Sequence, residues 1–452
     1  MVLSLLYLVY YHSNHKRNQY SKNRTHFILK YYRATLNTMN TFSLLFMLIL
    51  AVSFMLQWYL VLRQIRHIHR HRDQVPAAFR EKINPEEHGK AAAYNIAKSR
   101  TGLVDLSLNT LLLLVWTLGG GLQMLADFWI SFELGEIWTG SLFIIAFMLV
   151  SGILSLPMSI YQTFFLEQKF GFNKTSPRTF VLDLVKQCLL LLCIGLPFLC
   201  VVLWLMNTSG RLWWLYVWIA WFSFSLIMMW AWPALIAPLF NKFKSLERDA
   251  LRKRIESLLE RNGFASQGIF VMDGSKRSSH GNAYFTGLGN NKRIVFYDTL
   301  LKDLTDAETE AVLAHELGHF KLRHIKKRIA LTAILSLLSL GLLGWIIEMP
   351  WYYEGLGVST KSSYMALTLF LMIAPLFSFF LQPVFSWMSR VHEYEADSFA
   401  AAQAEAENLV QALVKLYREN ANTLTPDPVY SAFHDSHPPA PLRIAHLQGM
   451  SS

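Results

Sequence analysis

The sequence is poor in charged residues. Asp, Glu, Lys and Arg make up 16% of its 452 residues, 53% are hydrophobic, and the mean hydropathy is +0.28. Soluble globular domains carry about a quarter charged residues, so this composition excludes a chain made of two or three ordinary soluble domains. The hydrophobic residues are concentrated in long runs, which indicates a protein that crosses a membrane several times.

Cysteine is also scarce, and acidic residues are outnumbered by basic ones. The three cysteines, Cys188, Cys193 and Cys200, lie in one hydrophobic run, where they are interpreted as small core residues and not as a disulfide framework. The formal net charge of +11 is interpreted as a signal of membrane topology. No nucleic-acid partner is therefore predicted.

Seven hydrophobic runs are long enough to cross a bilayer. They are residues 41–62, 106–125, 142–165, 181–206, 212–240, 329–347 and 364–388. Six Lys or Arg residues follow the first run, between positions 63 and 82, whereas the loop after the second run has acidic residues and no basic ones. The positive-inside rule places the basic loop, and with it the large polar segment that begins at residue 241, on the cytoplasmic side. The membrane itself is expected to be a bacterial inner membrane or the endoplasmic reticulum.

The first 40 residues do not fit this topology. Their only hydrophobic run, residues 2–11, is too short to span a bilayer, and the basic residues after it would lie on the non-cytoplasmic side. No cleavage site of a signal peptide is evident. We interpret residues 1–40 as a disordered or mis-annotated N-terminal extension and expect Met39 to be the natural start.

The largest polar segment, residues 241–328, is predicted to form a small cytoplasmic α+β domain. A charged helix is expected at about residues 246–262, followed by strands at 268–272, 283–286 and 293–297. Gly287–Asn291 has turn chemistry, so the last two strands should form a hairpin.

The remaining chain is divided around this segment. Residues 41–240 are expected to hold the first five spans and residues 329–388 the last two. Residues 389–452 are expected to return to the cytoplasmic domain and complete it. Within them, Val391 to Glu419 is predicted to be one long helix.

One motif carries a specific chemistry. His315, Glu316 and His319 form a His-Glu-x-x-His pattern inside a helix-forming run. Residues i and i+4 lie on one helix face, so both imidazoles can bind one metal ion. Zinc accepts neutral imidazole and keeps one position for water, and Glu316 stands where it can take a proton from that water. The motif predicts one Zn²⁺ per chain; the alternative is a surface helix with two incidental histidines.

A third ligand is predicted from the segment Arg390–Asp397. Glu393 and Asp397 are again at i and i+4, so one carboxylate can bind the metal while the other accepts the ring N–H of a ligand histidine. The spacing leaves open which carboxylate binds the metal; we choose Glu393 as the ligand and Asp397 as the partner of the histidine, and expect Glu395 to point elsewhere. An ordinary charged helix is the alternative for this segment alone, but the two segments together favour zinc.

Together these segments resemble a known family, the integral-membrane zinc metalloproteases that include the type I CAAX prenyl proteases. The resemblance rests on His315–His319 and Glu393–Asp397 and extends from about residue 41 to residue 447. Further stretches that are similar to the family are Arg277–Phe285, Asn291–Leu300, Phe433–Pro439 with Arg443, Phe170–Asn173 and Ala237–Phe243.

The expected fold is an all-α polytopic membrane protein of about seven transmembrane helices, with a small α+β zincin-like metalloprotease domain. The resemblance implies that the helices enclose a large chamber and that cleavage occurs next to a prenylated cysteine. It also implies that Asn282 holds substrate backbone and that His437 and Arg443 lie at the active site, where they could stabilise the oxyanion of amide hydrolysis. From the sequence alone, a turn asparagine and a surface histidine before prolines remain alternatives for Asn282 and His437.

Three functions stay open at this point. The first is a CAAX-type prenyl protease that cuts at the membrane–cytoplasm boundary, with a prenylated peptide or protein and the lipid bilayer as partners. The second is a general quality-control metalloprotease for membrane proteins, which would use the same catalytic residues. The third is a non-enzymatic zinc-containing scaffold or transporter, against which the intact Glu316 and the lack of a clear internal repeat argue.

Overall fold

The computed structural model describes residues 40–264, 268–286 and 293–450. The expected N-terminal extension before Asn40 and the turn at Gly287–Asn291 lie outside the described residues. The longer helices are α1 (Thr41–His71), α2 (Pro85–Trp116), α3 (Gly121–Ile130), α4 (Glu136–Phe170), α5 (Pro177–Thr208), α6 (Gly210–Phe240), α7 (Asp249–Arg261), α8 (Asp298–Asp303), α9 (Asp306–Lys321), α10 (His324–Ile346), α11 (Pro350–Glu354), α12 (Ser363–Gln403), α13 (Ala406–Glu419), α14 (Pro428–His434) and α15 (Ala440–Met450). The strands are β1 (Phe243–Ser245), β2 (Ile269–Met272), β3 (Ala283–Thr286) and β4 (Arg293–Tyr297).

Six helices of the described chain are long and apolar enough to cross a membrane, namely α1, α4, α5, α6, α10 and α12. The pair α2 and α3 makes a seventh candidate, bent by 50° at a short break. The predicted second span, residues 106–125, is wrong in that it runs straight across this break. Gly120 takes a φ of +77°, a conformation that glycine adopts readily, and a Cβ on Gly119 would lie 2.7 Å from the carbonyl oxygen of Val115.

The membrane helices pack tightly at one end of the molecule. Aromatic and aliphatic side chains from most of the spans meet there in one core, with Phe46, Phe143, Leu203, Tyr352 and Tyr353 among its fully buried members. Farther along, many side chains of the spans are exposed, and none of Pro177–Leu190 is buried. Apolar side chains that face outwards are expected where the surrounding medium is lipid.

The other end of the molecule is an α+β unit built on a four-stranded sheet. The strand order is β1-β2-β4-β3, with β2 and β4 parallel and the outer pairs antiparallel. The structure confirms the strands at 283–286 and 293–297 and their antiparallel pairing. Strand β1 was not predicted, because three residues are too few to show an alternating pattern. Helices α7, α9, α13 and α15 share one hydrophobic core with the sheet.

The C-terminal helices differ from the prediction of one long helix from Val391 to Glu419. Helix α12 instead continues from the membrane to Gln403, and α13 begins at Ala406. Ala404 between them is extended, with φ −136° and ψ 166°. The break lets α13 fold back onto α9 and bury its apolar face, which a straight helix would carry away from the core. Neither Gly nor Pro marks the break, so the sequence holds no stop signal there.

Candidate active site

Helix α9 carries the His-Glu-x-x-His motif and is fixed at its start by a capping box. Thr305 Oγ1 accepts the backbone N–H of Glu308 at 3.3 Å, and Glu308 Oε2 accepts the backbone N–H of Thr305 at 2.7 Å. The same carboxylate accepts from Lys415 Nζ on α13, also at 2.7 Å. Leu313 and Leu317 are fully buried on the core side of the helix. These contacts fix the rotation of α9 and so the direction in which its histidines point.

Gly318 allows α9 and α12 to approach each other closely. A Cβ at this position would lie 3.1 Å from Cα of Ala396 and 3.2 Å from Cβ of Phe399, tighter than most real contacts. Glu393 and Asp397 stand one turn apart on α12, and both are buried. The close approach therefore brings two carboxylates from far along the chain to the histidines of α9.

Three potential ligand atoms converge between these helices. Nε2 of His315 and Nε2 of His319 are 3.3 Å apart, and the two atoms lie 3.4 Å from Oε2 and Oε1 of Glu393 respectively. Two ligand atoms about 2.0–2.1 Å from a tetrahedral zinc ion would lie about 3.3–3.4 Å from each other. The two histidine nitrogens have this spacing, and each lies at the same distance from one oxygen of Glu393, so the three residues could hold one metal ion.

On the side of its ring that faces away from the other ligand residues, His315 contacts a buried ion pair. Its Nδ1 lies 2.9 Å from Oδ1 of Asp397, and Asp397 also accepts from Nε of Arg443 at 2.8 Å and from Nη2 of Arg443. A proton on Nδ1 that is donated to Asp397 leaves the lone pair of Nε2 free for a metal. Burial disfavours a positive charge on the ring, yet contacts with Asp397 and Glu393 raise the pKa of His315 to about 9.

His319 has a different partner, which sequence reasoning missed. Its Nδ1 lies 2.9 Å from Nδ1 of His324, and Nε2 of His324 lies 2.7 Å from Oε2 of Glu395. If Nε2 of His319 serves as a ligand, its Nδ1–H donates to His324, which donates in turn to Glu395. Glu395 is placed away from the three ligand atoms, where it contacts the ligand set only through His324.

The contact with His324 depends on a turn that the sequence pattern does not reveal. Arg323 lies between α9 and α10 and has a φ of +61°. This backbone conformation turns the chain so that His324 faces back towards His319. The ring of His324 stacks on His392, with centroids 4.1 Å apart. His324, His392 and Glu395 could themselves group around a metal ion, but both ring nitrogens of His324 already contact His319 and Glu395.

Glu393 has an atom that the described residues leave without a hydrogen bond. Its Oε2 is buried, and no donor in the described part of the chain is aligned with it. Nδ1 of His437 lies 2.7 Å away, and Nη1 of Arg443 lies 3.6 Å away. A buried carboxylate oxygen that faces two imidazoles and lacks an aligned donor suits a metal ligand. The residues present therefore fit the implied ion.

The structure places the other predicted site residues around this centre. Glu316 follows His315 on α9, is partly exposed, and makes no hydrogen bond or ion pair with the described residues, so its carboxylate is available. Asn282 is exposed at the start of β3, where its Oδ1 accepts the backbone N–H of Ala283 and its carbonyl accepts that of Tyr297. The structure brings His437 and Arg443 to Glu393, but it gives no contact between Asn282 and the ligand set.

Two family profiles match the chain. Residues 64–242 match the family described as CAAX prenyl protease N-terminal, five membrane helices, and residues 245–451 match peptidase family M48. The second match contains the whole ligand set. The first contains most of the predicted membrane spans before the sheet, which agrees with the helices of the structure.

Several relatives and one solved structure agree with these two family matches. The chain is 35% identical over 383 residues to a CAAX prenyl protease 1 homolog of Oryza sativa, covering 82% of this chain and 89% of the relative. It is 38% identical over 321 residues to CAAX prenyl protease 1 of Saccharomyces cerevisiae, covering 67% and 70%, and 30% identical over 434 residues to the Homo sapiens homolog, covering 85% and 91%.

The crystal structure of S. mikatae Ste24p matches the fold with a TM-score of 0.84 at 31% identity, covering 90% of this chain and 99% of that chain. These matches confirm the predicted fold class and the predicted family. The ligand geometry described above lies in the part of the chain that matches the peptidase family. The chain therefore belongs to peptidase family M48, together with the CAAX prenyl proteases, and is a multi-pass membrane metalloprotease.

Proposed function

We propose that this chain is a zinc endopeptidase that removes C-terminal residues after a prenylated cysteine, at the boundary between membrane and cytoplasm. The observation that carries the proposal is the convergence of His315, His319 and Glu393 on one point where they could hold a metal ion. The curated relatives from rice, yeast and human are named as CAAX prenyl proteases, which supports the choice of substrate.

His315, His319 and Glu393 would hold the zinc ion. Two neutral imidazoles and one carboxylate form a ligand set that zinc uses in hydrolytic sites, and it leaves a fourth position open. When bound, zinc acidifies water and polarises the carbonyl group of the peptide bond. The family supports a metal in general, and the nitrogen-rich ligand set is our reason for choosing zinc over a hard cation such as magnesium.

Glu316 is the general base. Its carboxylate stands beside the first ligand histidine and has no partner among the described residues, so it is available to take a proton from the attacking water. It then returns that proton to the leaving amide nitrogen, which cannot depart as an anion. Water adds to the carbonyl carbon, the C–N bond breaks, and a carboxylic acid and an amine result.

His437 and Arg443 have separate roles in this proposal. Nε and Nη2 of Arg443 are committed to Asp397, so we assign Arg443 the task of orienting Asp397 and, through it, His315, instead of the expected oxyanion contact. The side chain of His437 is 62% exposed and touches the site only at Glu393. With Nδ1 at Glu393, we assign the other ring nitrogen, Nε2, the contact with the developing oxyanion.

The outer edge of β3 would hold the substrate backbone. Among the described strands, β3 pairs only with β4, so its other edge is open for an extended peptide to add as a strand. Helix α9 with the ligand histidines packs beside β3. Asn282 stands at the start of this edge, where it could contact the end of the added strand.

The topology and the division of the chain are part of the same proposal. We assign residues 41–240 and 329–388 to the membrane part. We assign residues 241–328 and 389–452 to the catalytic part and, because the loops on its side of the spans are basic, to the cytoplasm. Relatives from three eukaryotes favour the endoplasmic reticulum over a bacterial inner membrane.

A reconstituted cleavage assay tests the substrate. The purified chain in lipid vesicles is given a farnesylated CAAX peptide, the same peptide without the farnesyl group, and a misfolded membrane protein, with Glu316→Gln as the inactive control. We expect cleavage of the farnesylated peptide alone. Cleavage of only the misfolded protein would replace this function by quality-control proteolysis, and equal cleavage of both peptides would refute the role of the prenyl group.

A further inference from the structure

A cavity lies apart from the metal site, where the end of α6 meets the sheet. Its volume is about 440 Å³. Its lining combines apolar residues, among them Pro233 and Pro238 of α6 and Phe243 of β1, with the basic residues Lys242, Lys244 and Arg293. None of the metal ligands or their partners lines it.

The three basic side chains of this cavity have no anionic partner in the described chain. Neither Lys242 nor Lys244 forms an ion pair there, and the guanidinium of Arg293 lies 5.6 Å from the ring centre of Phe270 without a carboxylate. Asp273 comes near, but its Oδ1 accepts the backbone N–H of Lys242. No acidic residue lines the cavity. Three uncompensated positive charges around one concave surface favour an anionic ligand.

Two further lysines lie at this end of α6, and one of them, Lys186, is paired with Asp183 at 4.0 Å. Lys186 Nζ donates to the carbonyl of Leu239 at 2.7 Å, and Lys276 Nζ donates to the carbonyl of Phe240 at 3.2 Å. These two lysines donate hydrogen bonds to carbonyl groups at the end of the helix. The ammonium groups of Lys242 and Lys244 have no such partner among the described residues.

The cavity also lies at the end of a helix that is long and apolar enough to cross a membrane. Pro233 and Pro238 belong to the last turns of a membrane-spanning helix, and the neighbouring Trp232, Leu235 and Leu239 are exposed apolar side chains. A ligand in the cavity therefore has lipid on one side and basic groups on the other. Phospholipids have this combination of an anionic headgroup and acyl chains.

We propose that this cavity is a binding site for an anionic phospholipid of the bilayer. Lys242, Lys244 and Arg293 hold the phosphate and its anionic headgroup, and the acyl chains lie along the exposed side of α6. The bound lipid links the sheet of the catalytic part to the membrane beside it. This site is independent of the identity of the protease substrate.

Native mass spectrometry of the full chain in detergent tests the proposal. Dioleoylphosphatidylserine and dioleoylphosphatidylcholine are titrated in parallel onto the wild type, a triple variant Lys242→Gln, Lys244→Gln and Arg293→Gln, and a control. The control is Lys253→Gln, Lys302→Gln and Lys361→Gln, which removes three positive charges from exposed positions outside the cavity. Thermal unfolding shows whether each variant is folded.

We expect the wild type and the control to retain one phosphatidylserine in preference to phosphatidylcholine, and the triple variant to bind it about a hundredfold more weakly. Should the triple variant not fold, Lys244→Gln alone, on an exposed edge position, is expected to weaken binding several-fold. Equal binding of phosphatidylserine by wild type and the folded variant would overturn the site. Competition by inorganic phosphate or a hexaglutamate peptide at concentrations similar to the lipid would also overturn it, since the ligand would then be a free anion or an acidic protein.

Discussion

The two ligand histidines of α9 stand one turn apart, yet they are held in opposite ways. Behind His315 lies a fully buried carboxylate, Asp397, which is paired with the buried guanidinium of Arg443. Behind His319 lies His324, also buried, which leads to the carboxylate of Glu395, and that side chain is 44% exposed. The support behind His315 is an ion pair buried in the protein, whereas the support behind His319 ends at a solvent-exposed side chain.

This difference predicts which half of the site is more sensitive. A buried charge that loses its partner is strongly destabilising, because the remaining charge has neither water nor a counter-charge. In a series of hydrogen-bonded side chains that ends in solvent, water can replace a lost group at little cost in free energy. Changes behind His315 should therefore affect both metal affinity and stability, while changes behind His319 should affect metal affinity alone.

The largest effect, a loss of turnover, is expected when the contacts behind both histidines are intact and only the general base is removed. Glu316→Gln should lower turnover by about 10²–10⁴-fold, because proton transfer is lost while the three ligands remain. Metal content, measured by elemental analysis, should equal that of the wild type. Normal turnover in this variant would show that another group acts as the base.

Asp397→Asn tests the buried support. We expect metal affinity to fall about 10–100-fold, as measured by competition with a chelator, because the amide no longer fixes the tautomer of His315. The apparent unfolding temperature should also fall by several degrees, since Arg443 keeps its charge and loses its counter-ion. Asp303→Asn, an exposed carboxylate on α8, is the matched control. A variant that is as stable as the wild type and has full metal affinity would show that Asp397 does not support His315.

His324→Phe tests the support that leads to solvent. The ring keeps its stacking partner His392 but no longer accepts from His319 Nδ1, so metal affinity should fall about tenfold, with little change in unfolding temperature. Glu395→Gln, one step farther out, should change affinity no more than about threefold. A larger loss in Glu395→Gln than in His324→Phe would reverse the proposed order.

The smallest effect on metal binding is expected at the opposite end of α9, where Glu308 contacts none of the metal ligands. Burial opposes ionisation of Glu308, but contacts with Lys415 and Thr305 hold the pKa of Glu308 below its usual value. The ionised carboxylate therefore stabilises the folded protein at pH values above its unfolded-state pKa of about 4.5. This contribution is lost as the pH falls through the lowered folded-state pKa.

Glu308→Gln should thus lower the apparent unfolding temperature of metal-free protein by a few degrees at pH 7, equivalent to about 1–2 kcal/mol. Below the folded-state pKa, wild type and variant should become alike. A difference that grows on acidification would contradict the assignment, and Glu260→Gln on α7 serves as an exposed control.

Local patterns predicted much of the fold and the ligand set. The i, i+4 spacing of His315 with His319, and of Glu393 with Asp397, requires only that each segment be helical, which the structure confirms. The strands at 283–286 and 293–297 were predicted from two strand-like runs on either side of a stretch with turn chemistry. The folding of α12 onto α9 brings one oxygen of Glu393, the predicted third ligand, within 3.4 Å of Nε2 of each histidine.

What the sequence did not reveal depends on tertiary packing or on single backbone angles. His324 reaches His319 only because Arg323 adopts a positive φ, which no residue pattern marks. The pairing of Arg443 with Asp397 joins residues 46 positions apart, and the family resemblance alone suggested that Arg443 lies nearby. The break between α12 and α13 is set by the burial of α13 on α9, since neither Gly nor Pro stands there.

Zinc stoichiometry in two neighbouring variants tests the central claim most directly. Glu393→Ala and Glu395→Ala each remove one carboxylate from the same helix, but only Glu393 contributes an oxygen at the point where the two imidazoles converge. Elemental analysis of the purified proteins should find about one zinc per chain in the wild type and in Glu395→Ala, and almost none in Glu393→Ala. A full zinc content in Glu393→Ala, or its loss in Glu395→Ala alone, would contradict the account.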